Sequence, residues 1–443
     1  MSARPNGMTV TLCMIVKDEE HIIRECLDSM IPYIDRFDIT DTGSTDKTMD
    51  IIREWGEKNN IPGTIHQMEW LGFGKSRTQS LKNCQGNADY AWVIDADDKV
   101  DGNFKYPNDF GVADGYALNI HRGDFNWWRN QIFKVSSGWE YIGVIHEYAD
   151  CVGKREAGET PVYGKIEGDY HITARTMGNR TQAFENDEQA KYRHDAEILL
   201  DCLTNPENPN YEPNNLRYLF YIAQSYFDAG QPLDAYDWYK KRAEEGGWEE
   251  EQWYSVYRMG LCMSSERSLH ENPDAWQIAQ DHYMQAYNIR PWRAEPLITL
   301  ARTHRLNENP RLAFIFARQA LSIPFPKDDI LFLSHNLYNW EILDEVGAVA
   351  HAVGEWALGY NVCKKLLEDN LFPDEHRERI VTNFKSYENH LLQEQEKQMK
   401  QKVESEKQEK EAKENRIKIQ KLREQEKKRA KRLNKKATKI RSN

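Results

Sequence analysis

Three carboxylates close one short apolar run, Trp92-Val93-Ile94-Asp95-Ala96-Asp97-Asp98. Acids two residues apart share a face if the strand continues, and hard oxygen donors at that spacing suit Mn²⁺ or Mg²⁺ carrying a diphosphate. An acidic turn after any strand would give the same letters. A phosphatase with Asp95 as nucleophile needs a D-x-D-x-T-like motif, and Lys99-Val100 stands where the threonine belongs. The turn Gly72-Phe-Gly74-Lys75-Ser76 is reminiscent of an ATP-binding loop. That motif needs a glycine five residues before Gly74, where this chain has Glu69, so an ATPase is set aside. Lys75 and Arg77 still suit an anion at a helix N-terminus, with a solvated face as the alternative.

Groups of this kind need elements to present them. Residues 10–16 form a near-continuous apolar strand, after which Asp18 is placed to cap a helix with Glu19 and Glu20 in its first turn. Ile22, Ile23, Cys26, Leu27 and Met30 give that helix one buried stripe before Pro32. A second strand, 34–40, runs into Asp41-Thr42-Gly43-Ser44-Thr45-Asp46, where Gly43 permits a positive φ and Thr45 or Asp46 can cap a helix over 47–58. A strand at 64–68 and a helix near 77–83 lead back to the strand that ends in Asp95. Repeated β-α-β order predicts an α/β domain with a parallel sheet whose strand ends deliver acids to one edge, where open sheets bind ligands.

In order, Leu12-Cys-Met-Ile-Val-Lys-Asp-Glu19, Asp41-Thr-Gly-Ser-Thr-Asp46, Ser76-Arg77 and Asp95-Ala-Asp97 resemble the family 2 glycosyltransferases of the GT-A fold, over roughly the first 170 residues. The resemblance implies a Rossmann-like nucleotide-diphospho-sugar transferase domain, of the hexosyltransferase class, that uses a UDP-sugar. It implies that Glu19 and Asp41 hold the uracil and ribose, that Arg77 lies near the nucleotide, and that Asp95 and Asp97 serve ribose and metal. Trp139-Glu-Tyr-Ile-Gly143-Val-Ile-His146-Glu147 resembles the family's W-x-x-x-G-x-x-H-E segment. This implies Glu147 as the base of an inverting single displacement, supported by His146; a structural His-Glu pair in a turn is the alternative. Gly168-Asp169-Tyr170-His171 resembles the place where a histidine returns to the metal or diphosphate, although Ile172-Thr173-Ala174 replaces the usual continuation, and a structural histidine fits as well. Asp18, Thr78 and Asp98 depart from commoner residues of the family without removing a required charge. The chemistry agrees: cleaving an anomeric carbon–diphosphate bond puts negative charge on the leaving group, which a divalent ion stabilises, and the acceptor needs a base.

The patch His121-Arg122-Gly-Asp124-Phe125-Asn-Trp127-Trp128-Arg129 suits stacking on a sugar or gripping an acceptor, and equally the packed floor of the sheet. From about residue 181 the period becomes helical. Leu219, Ile222, Ala223 and Tyr226 precede Gly230 and then Ala235, Trp238 and Tyr239; Trp253, Val256, Tyr257 and Gly260 are answered by Trp276, Ala279, Tyr283 and Ala286. These units resemble degenerate tetratricopeptide (TPR) repeats, an all-α solenoid whose groove takes an extended peptide or mediates a homodimer, or which simply buttresses its neighbour. The expected domains are 1–180, 181–392 and a charged helical or disordered tail, 393–443.

Composition agrees with a globular protein. The formal charge is −12, yet the segment 427–443 is basic and holds no acid, so the tail suits anionic surfaces while the acidic body makes duplex nucleic acid an unsuitable partner. Seven singly placed cysteines suggest reduced thiols, not a disulfide frame or zinc site. No apolar run approaches a membrane span and the first eight residues lack a signal-peptide core, so a cytoplasmic protein is expected. The function expected is transfer from a nucleotide-diphosphate sugar to a protein, peptide or glycan acceptor. The alternative is a TPR-type scaffold with an inactive transferase domain.

Overall fold

The computed structural model describes residues 5–123, 125–178, 184 and 187–440, in two compact units, 1–247 and 248–443. In the first, β1 (Val10–Val16) is followed by α1 (Ile23–Met30), β2 (Arg36–Asp41), α2 (Thr48–Asn59), β3 (Gly63–Gln67), α3 (Phe73–Asn83) and β4 (Tyr90–Val93). Strands β1 to β4 lie parallel in the order β3-β2-β1-β4, the arrangement the alternating pattern predicts. Beyond β4 the sheet is mixed. β7 (Phe125–Lys134) pairs antiparallel with β4, β6 (Gly115–Arg122) antiparallel with β7, and β11 (Tyr170–Thr173) lies parallel to β6 but antiparallel to β5 (Lys99–Gly102) between the two. β10 (Tyr163–Lys165) shares the β6 edge, and β8 (Glu140–Ile142) and β9 (Tyr148–Asp150) form a separate ribbon.

Apolar strand residues explain the core. Val10, Leu12 and Met14 of β1 meet Ile23, Cys26, Leu27 and Met30 of α1 on one face, while Cys13 lies with Leu81, Cys84, Val93 and Phe133 on the other. Trp92, wholly buried, packs among Tyr33, Phe104 and Tyr106 with ring centroids 4.6–6.3 Å away. All seven cysteines are buried free thiols, as their single placement predicts. No helix among the described residues is long and apolar enough to cross a membrane.

The unit boundary falls beyond the expected 180/181 change of period. Helices Glu188–Thr204, Leu216–Asp228 and Pro232–Glu244 belong with the sheet, because contacts such as Tyr221 stacked on His146 and Lys75 Nζ donating to Pro209 O at 2.9 Å join them to it. In the second unit, Glu249–Met263 packs on Ala275–Ile289, Glu295–Leu306 on Pro310–Leu321, and Ile342–Val349 on Trp356–Asp369. Gly260 permits the first of these pairs, since a Cβ there would lie 2.5 Å from Tyr283 Cε1. Between the first two of these helices lies a short one, Glu266–Glu271. One 64-residue helix, Arg377–Ile440, ends the described chain. Its Ile380 and Tyr387 are buried, but from 393 to 432 every residue is exposed, so the expected tail is the solvated continuation of a packed helix.

Candidate functional site

The carboxyl ends of β1 and β2 are laced together by their own acids. Val16 pairs with Asp41, and Asp41 accepts hydrogen bonds from the backbone N–H of Gly43 and Ser44 at 3.2 Å in a turn where Gly43 has φ +106°. Asp18 does not cap α1, as its position suggested. It adopts φ 55°, and its Oδ1 accepts from Thr45 N at 2.7 Å, so the helix starts later, at Ile23. Asp46 accepts from Thr48 N at 2.9 Å and from Glu20 N at 3.0 Å, while Glu19 N donates to Thr48 Oγ1 at 2.8 Å. Glu19 and Glu20 are therefore loop residues held against the start of α2, not first-turn residues of α1.

The acidic run after β4 separates its members. The strand stops at Val93 and a turn closes from Asp98 N to Asp95 O at 3.0 Å, so Asp95 and Asp97 do not share a strand face as an extended continuation would require. Arg77 reaches Asp95 Oδ1 with Nη2 at 2.5 Å and Glu147 Oε1 with Nε at 2.8 Å. Arg129 lies 3.7 Å from Asp95 Oδ2 and 4.0 Å from Asp98 Oδ2. Burial pushes the Asp95 carboxyl up, but Arg77 and then Arg129 outweigh it and hold it down at about 2. Asp98 goes the other way. Burial, followed by the charge of Asp95, pushes its carboxyl up to about 7 against Arg129, while Oδ1 accepts from Arg175 N at 3.1 Å.

Glu147 reaches Arg77 because the segment carrying it docks on α3. Tyr141 N donates to Thr78 Oγ1 at 2.8 Å, and a Cβ on Gly74 would lie 2.1 Å from Gly143 O. The glycine that fails as part of an ATP-binding loop thus serves as a contact surface. Gly74→Ala should cost about 1–3 kcal/mol through overpacking and, by moving the Glu147 segment, lower turnover by about 10²-fold. Thermal melting and steady-state kinetics on the same preparation check both numbers. His146 has φ 53° and its ring lies on Tyr221 at 4.1 Å, while its carbonyl accepts from Arg217.

Asp97 faces a different group of atoms. Its Oδ2 accepts from Met177 N and Gly178 N, both at 3.0 Å, and its carbonyl accepts from Arg175 Nε. A methyl group built on Gly178 would stand 3.4 Å from Asp97 Oδ2 and 3.3 Å from Glu19 Oε1, so both carboxylates converge on one point. His171 sits on β11, its ring stacked on His121 at 4.2 Å. Among the described residues no hydrogen bond or ion pair joins it to Asp97, and no group of three His, Cys, Asp or Glu is spaced to enclose a metal.

Two cavities open along this edge. One, of about 500 Å³, is lined by Arg77, Asp95, Glu147, Trp128, Arg129 and Tyr221. The other, of about 660 Å³ and largely apolar, is lined by Glu19, Thr42, Lys75, Trp70, Val144 and Ile198. The aromatic patch divides its duties: Trp127 is part-buried against the core, while Trp128 is 39% exposed with Lys165 Nζ 3.9 Å over its ring. Arg129 carried a signal within that patch, but its pairing with Asp95 is a cross-strand contact. Tyr221 and Arg217 were unreadable as site residues, because a helix some 70 residues beyond His146 brings them in.

Parallel strands that deliver acids to one carboxyl edge, with basic residues bridging them, form the α/β arrangement expected of the GT-A fold. Residues 11–107 match the Glycosyl transferase family 2 model. That match covers the parallel strands and the acidic turns of the first unit, and helices resembling tetratricopeptide repeats follow it. A TPR repeat-containing protein of Synechococcus elongatus is 35% identical over 92 residues, 20% of this chain and 21% of the relative's length. Among solved structures, S. aureus TarS in complex with UDP-GlcNAc is 13% identical over 63% of this chain and 92% of that one, with a TM-score of 0.36. MamA is 17% identical over 44% of this chain and 95% of that one, with a TM-score of 0.30.

Proposed function

We propose that the N-terminal unit moves a sugar from a nucleotide-diphosphate sugar, a UDP-sugar in the first instance, to an acceptor by an inverting single displacement. The observation that carries this reading is Arg77, which ties Asp95 to Glu147 in one cavity at the carboxyl edge of the sheet. Glu19, Asp41 and the turn between β2 and α2 would receive the nucleoside. Glu147 takes the proton of the acceptor as the new bond to the anomeric carbon forms. The bond from that carbon to the diphosphate breaks on the opposite face, and Arg77 and Arg129 supply the positive charge nearest the departing group.

Mn²⁺ or Mg²⁺ fits Asp97 with Glu19 beside it. Such ions are commonly held by one or two carboxylates together with substrate phosphates, so a three-residue cage is not required. When bound, the ion would neutralise charge on the diphosphate. His171 as a further ligand would need movement away from His121. The repeat helices favour a protein or peptide acceptor over a free glycan.

Incubation of the full chain with Mn²⁺ and a panel of UDP-sugars tests the reading. Release of UDP is expected with at least one sugar, and Asp97→Ala should lower it by about 10²–10³-fold. Removal of residues 393–443 should leave it unchanged. A wild-type chain that binds no sugar nucleotide at millimolar concentration leaves the scaffold reading in its place.

A further inference from the structure

Gln131 stands in the wall of the Arg77–Glu147 cavity. In the β6–β7 ladder Tyr116 pairs with Ile132 and Ala117 with Asn130, so Gln131 is the extra residue of a β-bulge. Bulges next to active sites re-aim a side chain that regular pleating would send elsewhere. Gln131 is 2% exposed and lines the cavity, and among the described residues neither Oε1 nor Nε2 has a hydrogen-bond partner. A carboxamide withdrawn from water with both ends unpaired is costly in the free protein. A group that reaches the cavity with the ligand would satisfy it.

The chemistry of the side chain limits that group. A carboxamide presents one acceptor and two donors in a plane and carries no charge, so its complement offers a donor and an acceptor side by side. Neighbouring hydroxyls of a pyranose, or the amide of an acetamido substituent, do so. A diphosphate does not, because its oxygens repel Oε1. Trp128 and Tyr221 line the same cavity and offer apolar faces of the kind a sugar ring covers.

Resting on the transferase reading of this cavity, we propose that Gln131 determines specificity for the transferred sugar by hydrogen-bonding a neutral donor–acceptor pair on its ring. The side chain is thus a reader of the donor's sugar and takes no part in proton transfer.

Calorimetric titration of the full chain, wild type and Gln131→Met, with UDP, UDP-glucose, UDP-galactose and UDP-N-acetylglucosamine tests this. Methionine keeps the volume and removes both polar atoms. The wild type should bind one UDP-sugar more tightly than UDP, and Gln131→Met should bind UDP equally well while losing about 10–100-fold for that UDP-sugar. Without ligand the variant should melt at the same temperature or higher, since an unpaired buried amide has gone. A variant that keeps the sugar preference, that melts lower, or that loses affinity for UDP itself would each overturn the proposal. A wild type that binds UDP but prefers no UDP-sugar overturns the role of Gln131 and leaves the nucleotide site standing. A wild type that binds neither defeats the transferase reading along with it.

Discussion

Arg77→Ala should lower kcat/KM for sugar transfer by about 10²–10³-fold, the scale on which removal of a single preorganised charge-stabilising donor acts. The side chain is 13% exposed and spans two carboxylates, Asp95 at 2.5 Å and Glu147 at 2.8 Å. Burial disfavours its charge, yet Asp95 and then Glu147 outweigh that effect and keep it protonated. Alanine leaves both acids without their shared partner. Arg129, 3.7 Å from Asp95 and itself 45% exposed, is a poor substitute. Breaking such a largely buried network should also cost about 3–5 kcal/mol, so melting belongs beside the kinetics. Arg77→Lys separates geometry from charge: one ammonium cannot present the Nε and Nη2 edges to two acids, and most of the loss should persist. Recovery to within a few-fold of wild type in the lysine variant would show that a point charge suffices.

Arg293→Met should destabilise the second unit by about 3–5 kcal/mol, because it removes the buried cation that Glu295 and Asp329 share. Arg293 has no exposed surface. It donates to Glu295 at 2.8–3.1 Å, to Asp329 at 3.2 Å and to Leu331 O, and stacks over Trp253 at 4.2 Å. Asp329 would retain Arg290 at 2.6 Å and Trp292 Nε1 at 3.2 Å, whereas among the described residues Glu295 would retain the hydroxyl of Tyr338 at 3.1 Å. For a unit of about 200 residues this corresponds to a fall of roughly 6–20 °C in its melting transition. Differential scanning calorimetry reads the change, and a shift below 2 °C would mean that methionine packing against Trp253 offsets the lost cation.

The legible parts of this protein are those written in neighbouring residues. The strand Val10–Val16, the positive φ at Gly43 and the helix–Gly230–helix unit follow from period and turn chemistry that a few residues carry among themselves. Misreadings arose where a side chain had two destinations. Asp18 is a sound cap by spacing, but Thr45 N, 27 positions away, competes for its oxygen and wins. Asp95 and Asp97 would share a face on a strand, but the Asp95–Asp98 turn sends one to Arg77 and the other to Gly178.

The order of apolar runs, the acids that end them and the change from α/β to helical period were settled along the chain, because hydrophobic period and strand-end polarity are local properties. Which acids meet which cations, the bulge at Gln131, and the arrival of Tyr221 and Arg217 beside the sheet arose on folding. These depend on register and on contacts up to 70 or more residues apart, and a one-residue slip in β7 would move the bulge and the Arg129–Asp95 pair without altering a single letter of the sequence.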